Sequence, residues 1–327
     1  MDPIIKEYLQ SYDFGEFQNF KNMGVIPLLI SLNHTPEYLT LREALEKGVL
    51  LVQEVSQGGS VPELKVENNA DIPVLLLDGE ELAGAKQNRV LNTTILVKEK
   101  SEIIIPVSCT EQGRWSYVSR DFHDSGTVMT PTLRKMKAHD VSSSLESSRE
   151  FRSDQAAVWD GIQKIAAEAR VESHTGAMKD IYTAKMQDLD EYLKVFRYVH
   201  DQKGIFVFIG GRVVGLDFIS RESAFEKLQP KLIKSYAMEA ILESREERRK
   251  PEKKQAEDFL KEAAECEEKK YDSVGKGTDY RFTGKNVVGS ALIVDDKVIH
   301  MAFFRITESE KAGDMAGLRR RRRFRID

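Results

Sequence analysis

"VFIGGRVVGLDFI" (Val207–Ile219) and "LIVDDKVIHMAFF" (Leu292–Phe304) decide how this chain is read. Aligned without gaps at an offset of 85 residues, nine of their thirteen positions pair like with like. Gly210-Gly211 stands at the centre of one and Asp295-Asp296 at the centre of the other. Both dipeptides suit two-residue turns, so two β-hairpins of one design are predicted. "LLLDGEELAGA" (Leu75–Ala85) echoes the first more weakly at an offset of 132, with Asp78-Gly79 as its expected turn. Its return strand differs from the others in being polar.

Working outward, 22–118 reads as a β-rich part. "VIPLLI", "GVLLVQEV", "RVLNTTILV" and "EIIIPVSC" are short runs rich in branched residues, and Leu91, Thr93, Ile95 and Val97 alternate as one strand face. "HTPEYLTLREALEKG" offers a brief helix closed by Gly48. From 119 to 152 the apolar periodicity disappears, and serines, a proline and mixed charges give loop composition. A connection that long is functional or disordered, and a mobile cover over a site is expected.

Helices and the two hairpins fill 153–305. Ser153 or Asp154 caps a helix with Val158, Ile162, Ile165, Ala166 and Ala169 on one side. Tyr182, Met186, Leu189, Leu193 and Phe196 mark the apolar face of a second helix. Ser223 and Glu226 stand in capping-box spacing at the start of a third, which Pro230 is expected to kink or restart. Pro251 separates the charged "ESREERRK" from "EKKQAEDFLKEAAECEEKK", both read as solvated helical faces, with Cys266 as a packing residue.

The expected fold is therefore α+β: largely antiparallel, sandwich-like sheets with a helical layer inserted between the two related hairpins. One compact domain over 1–310 is favoured, because the last hairpin has too few neighbours in sequence to build its own core. The tail 311–327, with five consecutive arginines, lacks apolar periodicity and is read as a disordered basic extension with no assigned role.

Composition bounds function. The chain has 327 residues, 41% apolar and 31% charged, with 49 basic and 53 acidic residues. A net charge of −4 gives no global field for nucleic acid or anionic membrane, so nucleic acid is not an expected partner. Two cysteines, Cys109 and Cys266, have no paired spacing and suggest neither a disulfide framework nor a zinc knuckle. The start "MDPIIKEYLQSYDF" is unlike an export signal, and no apolar run approaches the roughly 20 residues of a membrane span. A cytoplasmic protein without membrane attachment is expected. The six histidines, His34, His123, His139, His174, His200 and His300, make no HExxH-type metal spacing. His123 and His139 joining Cys109 or a glutamate at a metal is the weaker alternative, and His300 reads as a packed strand residue. Neither a phosphate-binding loop nor a nucleophile elbow is present, and no motif names a cofactor.

Chemistry concentrates in two blocks. The first, on the return strand after Asp78-Gly79, carries Glu80, Glu81, Lys86, Asn88, Arg89 and Asn92 beside an apolar strand. Burying such charges without partners costs several kcal/mol, so salt bridges or a ligand must answer them. The second, "CTEQGRWSY" (Cys109–Tyr117), gathers Glu111, Gln112, Arg114 and Trp115. Arginine offers a planar donor fork for phosphate or carboxylate, and indole a stacking face. Together the blocks suit a small anionic, nucleotide-like ligand, or a structural salt-bridge network. A hydrolase with Glu80, Glu81 or Glu111 as general base, and a protein-interaction scaffold, are the competing functions.

"LDGEELAGAKQNRVLNTTILV" followed by "IPVSCTEQGRW" resembles the family named for its association with ADP-ribosylglycohydrolases and the rhodanese and phosphatase superfamilies. The resemblance spans about Val25 to Arg305 and is most specific in these two blocks. It implies a place in NAD or ADP-ribose metabolism. It also makes Glu80, Lys86, Gln87, Asn88, Arg89, Glu111, Gly113, Arg114 and Trp115 look like a signature. Glu80, Glu81 and Glu111 are accordingly the catalytic candidates, and Lys86, Gln87, Asn88, Arg89, Asn92, Arg114 and Trp115 the ligand-binding candidates.

Overall fold

A computed structural model describes residues 1–30, 36–243 and 251–307. The two related hairpins form as expected: β13 (Gln202–Ile209) with β14 (Arg212–Ile219), and β17 (Val287–Val294) with β18 (Lys297–Arg305). Gly210, Gly211, Asp295 and Asp296 all have positive φ, the backbone that a right-twisting two-residue hairpin needs at both central positions. Each hairpin also has a register shift at the same place, between Val207 and Phe208 and between Leu292 and Ile293, again 85 residues apart. The echo therefore extends from turn residues to the strand irregularity.

β14 and β18 pair, so the hairpins are the centre of a nine-stranded sheet. β1 (Asp13–Phe14), β2 (Gln18–Phe20) and β3 (Met23–Leu29) extend it beyond β13, and β16 (Thr278–Thr283) and β15 (Glu267–Asp272) extend it beyond β17. A six-stranded sheet has the order β12 (Phe122–Val128), β8 (Glu80–Gly84), β9 (Arg89–Leu91), β11 (Ser101–Cys109), β6 (Glu63–Asn68), β5 (Leu50–Glu54). It curls until its edges meet: Gln53 Nε2 on β5 donates to Asp121 Oδ1, beside β12, at 2.6 Å. A small sheet of β10 (Ile95–Val97), β7 (Val74–Leu76) and β4 (Leu39–Thr40) lies between; its β4–β7 pair is parallel, whereas every other pairing among the described residues is antiparallel.

Both faces of the large sheet are covered. On one, Ile205, Val207, Leu292 and Phe304 pack with α4 (Gln155–Ala169), α6 (Met186–Val195) and α7 (Glu222–Leu242). On the other, Phe206, Phe208, Phe218, Met301 and Phe303 meet α1 (Pro3–Gln10) and α8 (Lys253–Ala264). Each large apolar side chain so buried contributes roughly 1.5–3 kcal/mol. Inside the curled sheet, Val52, Leu64, Val66, Leu82, Leu91, Ile105 and Val107 form a third core closed by α2 (Leu41–Glu46).

Several local expectations are corrected. The stretch 119–152 holds β12 and the long helix α3 (Pro131–Ser148) instead of a loop. Its apolar period is hidden because the inward face of α3 includes Arg134, Lys137 and Ser142 beside Leu133, Val141 and Leu145. Asp78-Gly79 makes a turn, in which Glu80 N–H donates to the Leu77 carbonyl at 3.0 Å. It does not make a hairpin, because β7 and β8 leave it into different sheets. The "RVLNTTILV" strand is split into β9 and β10; Thr93 and Thr94 between them bond to Asp279 and His300. The Tyr182–Phe196 stripe belongs to two helices, α5 (Met178–Ala184) and α6, with Met186 exposed. α7 runs through Pro230, and no side chain caps its start at Arg221. Asp154 caps α4, and Cys266 is buried in the core as expected. Most of the "ESREERRK" segment and the arginine tail lie outside the described residues.

Candidate functional site

Side-chain alternation carries charge into the hollow side of the curled sheet. On β5, Leu50, Val52 and Glu54 share the buried face. Cross-strand neighbours also share a face. The pairings Glu54 with Leu64, Cys109 with Arg89, and Arg89 with Leu82 therefore bring Glu54, Cys109 and Arg89 to one end of the same interior. Arg89 is fully enclosed, and its Nη2 lies 3.6 Å from Glu54 Oε1. That distance makes an ion pair without a hydrogen bond. Nη1 donates to the Gln87 carbonyl at 3.0 Å and to Gln87 Oε1 at 3.1 Å. Arg89 Nε and Nη2 and both Glu54 oxygens are buried with no hydrogen-bond partner from the protein.

Trp115 covers this pair, with the Arg89 guanidinium 5.5 Å from its ring. Lys86 Nζ lies 5.3 Å from the Trp115 ring and 5.1 Å from that of Tyr117, and donates to the Gly58 carbonyl at 2.7 Å. The backbone of Gly59 is left-handed (φ 78°), and a Cβ there would come within 3.3 Å of Glu54 Oε2 and of the Trp115 ring. Segment 56–60 thus passes directly over the buried pair. Beside it opens a cleft of about 570 Å³ walled by Gln53, Glu54, Gln57, Tyr117 and Arg120.

Arg114 ties the two blocks together. Its Nη2 donates to Glu111 Oε2 at 2.6 Å and to Asn88 Oδ1 at 3.1 Å, and its Nη1 to the Ala85 and Ser116 carbonyls. Burial alone would raise the Glu111 carboxyl; hydrogen bonds from Arg114, Thr175 and the Asn88 N–H outweigh it and hold it below the usual range. Burial pulls the Arg89 guanidinium down from its ordinary value and pushes the Cys109 thiol up to about 11. A thiol so placed is protonated at neutral pH and is no nucleophile.

Seven of the ten candidates therefore share one locality: Lys86, Gln87, Asn88, Arg89, Glu111, Arg114 and Trp115. Asn92 sits elsewhere, its amide donating to the Phe151 carbonyl at 3.0 Å and accepting from Ser108. Glu80 is enclosed and accepts from Lys231 Nζ at 2.6 Å; the same ammonium reaches Asp124 at 2.8 Å. Glu81 is enclosed too, accepting from the hydroxyls of Thr110 at 2.7 Å and Thr127 at 3.0 Å. Burial lifts its carboxyl to about 7 against those hydrogen bonds.

Sequence reading missed two features. Glu54 was legible in principle, as a charge at an inward position of the alternating "LLVQE". The second is a buried chain across the interior, in which Lys137 and Arg134 of α3 meet Asp78. Arg134 also grips Asp217 bidentately at 2.7 and 2.9 Å. His300 links Asp217 to Thr94, and Asp279 pairs with Arg281 at 2.6 Å. His123 and His139, on β12 and α3, are exposed. Among the described residues, His200, Asp201 and Glu222 offer metal-ligand atoms within 4.8 Å of one another, on the surface.

The ARPP-1 domain, described as the ARG and Rhodanese-Phosphatase-superfamily-associated Protein domain, matches residues 11–304. The chain belongs to the ARPP-1 family. That match takes in both hairpins, the curled sheet and the Arg89–Trp115 locality, so the site lies within the family's own domain. No curated protein and no solved structure shows a significant match to the chain. No helix among the described residues is long and apolar enough to cross a membrane.

Proposed function

We propose that the chain binds an anionic, nucleotide-like molecule of the ADP-ribose or NAD type where Arg89 and Trp115 converge. The observation that carries this reading is the meeting of a buried guanidinium, the Lys86 ammonium and an indole that is 47% exposed, beside a cleft of about 570 Å³. A half-exposed indole suits a base, and Arg120 on the cleft wall, with Lys86 beside Tyr117, supplies positive charge. Arg114 frames the site instead of contacting the ligand, because its donors already hold Glu111, Asn88 and three carbonyls. The family's named association with ADP-ribosylglycohydrolases supports the ligand class. A hydrolytic reading draws less support: Glu80 and Glu81 are enclosed away from the cleft, and Glu111 is held by Arg114.

Calorimetric titration of the full chain with ADP-ribose, NAD and ADP at millimolar concentration tests this. Saturable heat from at least one is expected, with Trp115→Ala weakening it about tenfold, the size of one base–aromatic stack. Absence of heat from all three overturns the reading.

A further inference from the structure

The four buried atoms left without hydrogen bonds at Glu54 and Arg89 form a matched set. Two are carboxylate oxygens, which only accept, and two are guanidinium N–H groups, which only donate. Their owners face each other, with Arg89 Nη2 and Glu54 Oε1 3.6 Å apart. Buried polar atoms are nearly always satisfied, by protein, ordered water or a ligand, so a set of this kind marks a place that hydroxyl groups can fill, whether of water or of a ligand that displaces it.

The chemistry of such a ligand can be narrowed by elimination. A phosphate or carboxylate accepts from Arg89 but meets Glu54 as a like charge. An ammonium donates to Glu54 but meets Arg89 as a like charge. A secondary amide has a single N–H and leaves one Glu54 oxygen unanswered, and a primary carboxamide has two N–H groups but on one nitrogen, directed apart, so it does not place one donor on each oxygen. Two adjacent hydroxyls answer all of it: each O–H donates to one Glu54 oxygen while each hydroxyl oxygen accepts from Arg89 Nε or Nη2.

From this the geometry points to a vicinal-diol subsite at Glu54 and Arg89, which takes the cis-hydroxyls of a pentose and lies beneath the Trp115 ring. It deepens the proposed nucleotide binding and rests on that reading. In this arrangement the charged part of the ligand stays outside, where Lys86 and Arg120 stand, and the sugar is the part read in the interior. Gly59 fits the same account. Its backbone passes over Glu54 in a left-handed conformation, and a Cβ would press on Glu54 Oε2, the Lys86 stem and the Trp115 ring together. A roof this close excludes bulky substituents from above Glu54, so only small groups such as hydroxyls suit the subsite.

The test uses ADP and 2′,3′-dideoxy-ADP, which share base and phosphates and differ only in the diol, titrated calorimetrically into the full chain and its Glu54→Gln variant. The wild type is expected to bind ADP at least tenfold more tightly than the dideoxy compound. In Glu54→Gln the gap is expected to shrink below threefold, because a carboxamide offers one acceptor where the carboxylate offers two, while affinity for the dideoxy compound stays within about threefold of wild type. Equal wild-type affinities for the two compounds overturn the diol subsite and leave nucleotide binding standing. A gap that persists in Glu54→Gln overturns the assignment to Glu54. Failure of both compounds to bind the wild type, at concentrations up to several millimolar, overturns the subsite as stated for this nucleotide, and if ADP-ribose and NAD fail as well it overturns the binding reading itself.

Discussion

Two groups of buried charge lie in this fold and they are built in opposite ways. In the chain from Asp78 to Arg281, three carboxylates (Asp78, Asp217, Asp279) face three cations (Arg134, Lys137, Arg281), and nearly every polar atom is bonded; Arg134 Nε, the exception, lies 3.5 Å from Asp78 Oδ2. At the mouth of the curled sheet, Glu54 and Arg89 stand at 3.6 Å with four atoms unanswered. Both groups are buried, although Glu54 also walls the cleft. A closed network fixes α3 against two sheets, whereas an open pair keeps hydrogen-bonding capacity for something else. Burial of charge alone therefore does not mark a site; the incomplete pairing does.

The sharpest way to break the comparison is at the closed network. Asp217→Asn removes the carboxylate that Arg134, Tyr236 and His300 share. It leaves the buried Arg134 guanidinium with only Asp78, 3.5 Å away and shared with Lys137, at an expected cost of about 3–5 kcal/mol by urea denaturation. A loss below about 1 kcal/mol means that the network does not hold α3 in place.

Next comes pH. The Glu81 carboxyl is raised to about 7 by burial, so the folded state disfavours its ionised form while the unfolded chain ionises it near the ordinary glutamate value. Its contribution is complete below the unfolded pKa and is lost as pH rises through about 7. Stability is expected to fall by about 3 kcal/mol between pH 4.5 and 8 from this group alone. Glu81→Gln should remove that slope, and an unchanged slope in the variant rules out Glu81 as its source.

A smaller effect is expected at the open pair. Glu54→Gln takes away the carboxylate facing the buried Arg89 guanidinium, but across 3.6 Å and without a hydrogen bond, so its cost should be about 2 kcal/mol, below that of Asp217→Asn, while ligand affinity changes. A loss as large as that of Asp217→Asn would place Glu54 and Arg89 with the structural network and end the contrast. Smallest is Gly59→Ala, about 1 kcal/mol from the left-handed backbone, accompanied by weaker nucleotide binding if that segment roofs the subsite.

How much of this was legible follows from where the information sits. The hairpins were legible because turn type depends on two adjacent residues and strand pairing on the apolar runs beside them. The α4 face and its Asp154 cap were legible for the same local reason. α3 was not, since its inward Arg134 and Lys137 read as surface charges until Asp78 and Asp217, far away in sequence, are seen beneath them. The Lys86–Arg89 and Glu111–Trp115 blocks were recognisable as unusual, yet in the same run Glu81 and Asn92 turn to the opposite face by alternation, and Glu80 stands at the far end of β8, where Lys231 holds it. Glu54 was overlooked as one more charge among 53 acidic residues, although its strand position already pointed inward.

By itself the sequence determined the repeated hairpin, the α+β class and the family, since turns, periodicities and short motifs are properties of neighbouring residues. Only the tertiary structure decided which charges are closed into pairs and which are left open. That depends on strands from β5, β9 and β11 curling until Glu54, Arg89 and Cys109 face one interior, a juxtaposition that no local pattern encodes.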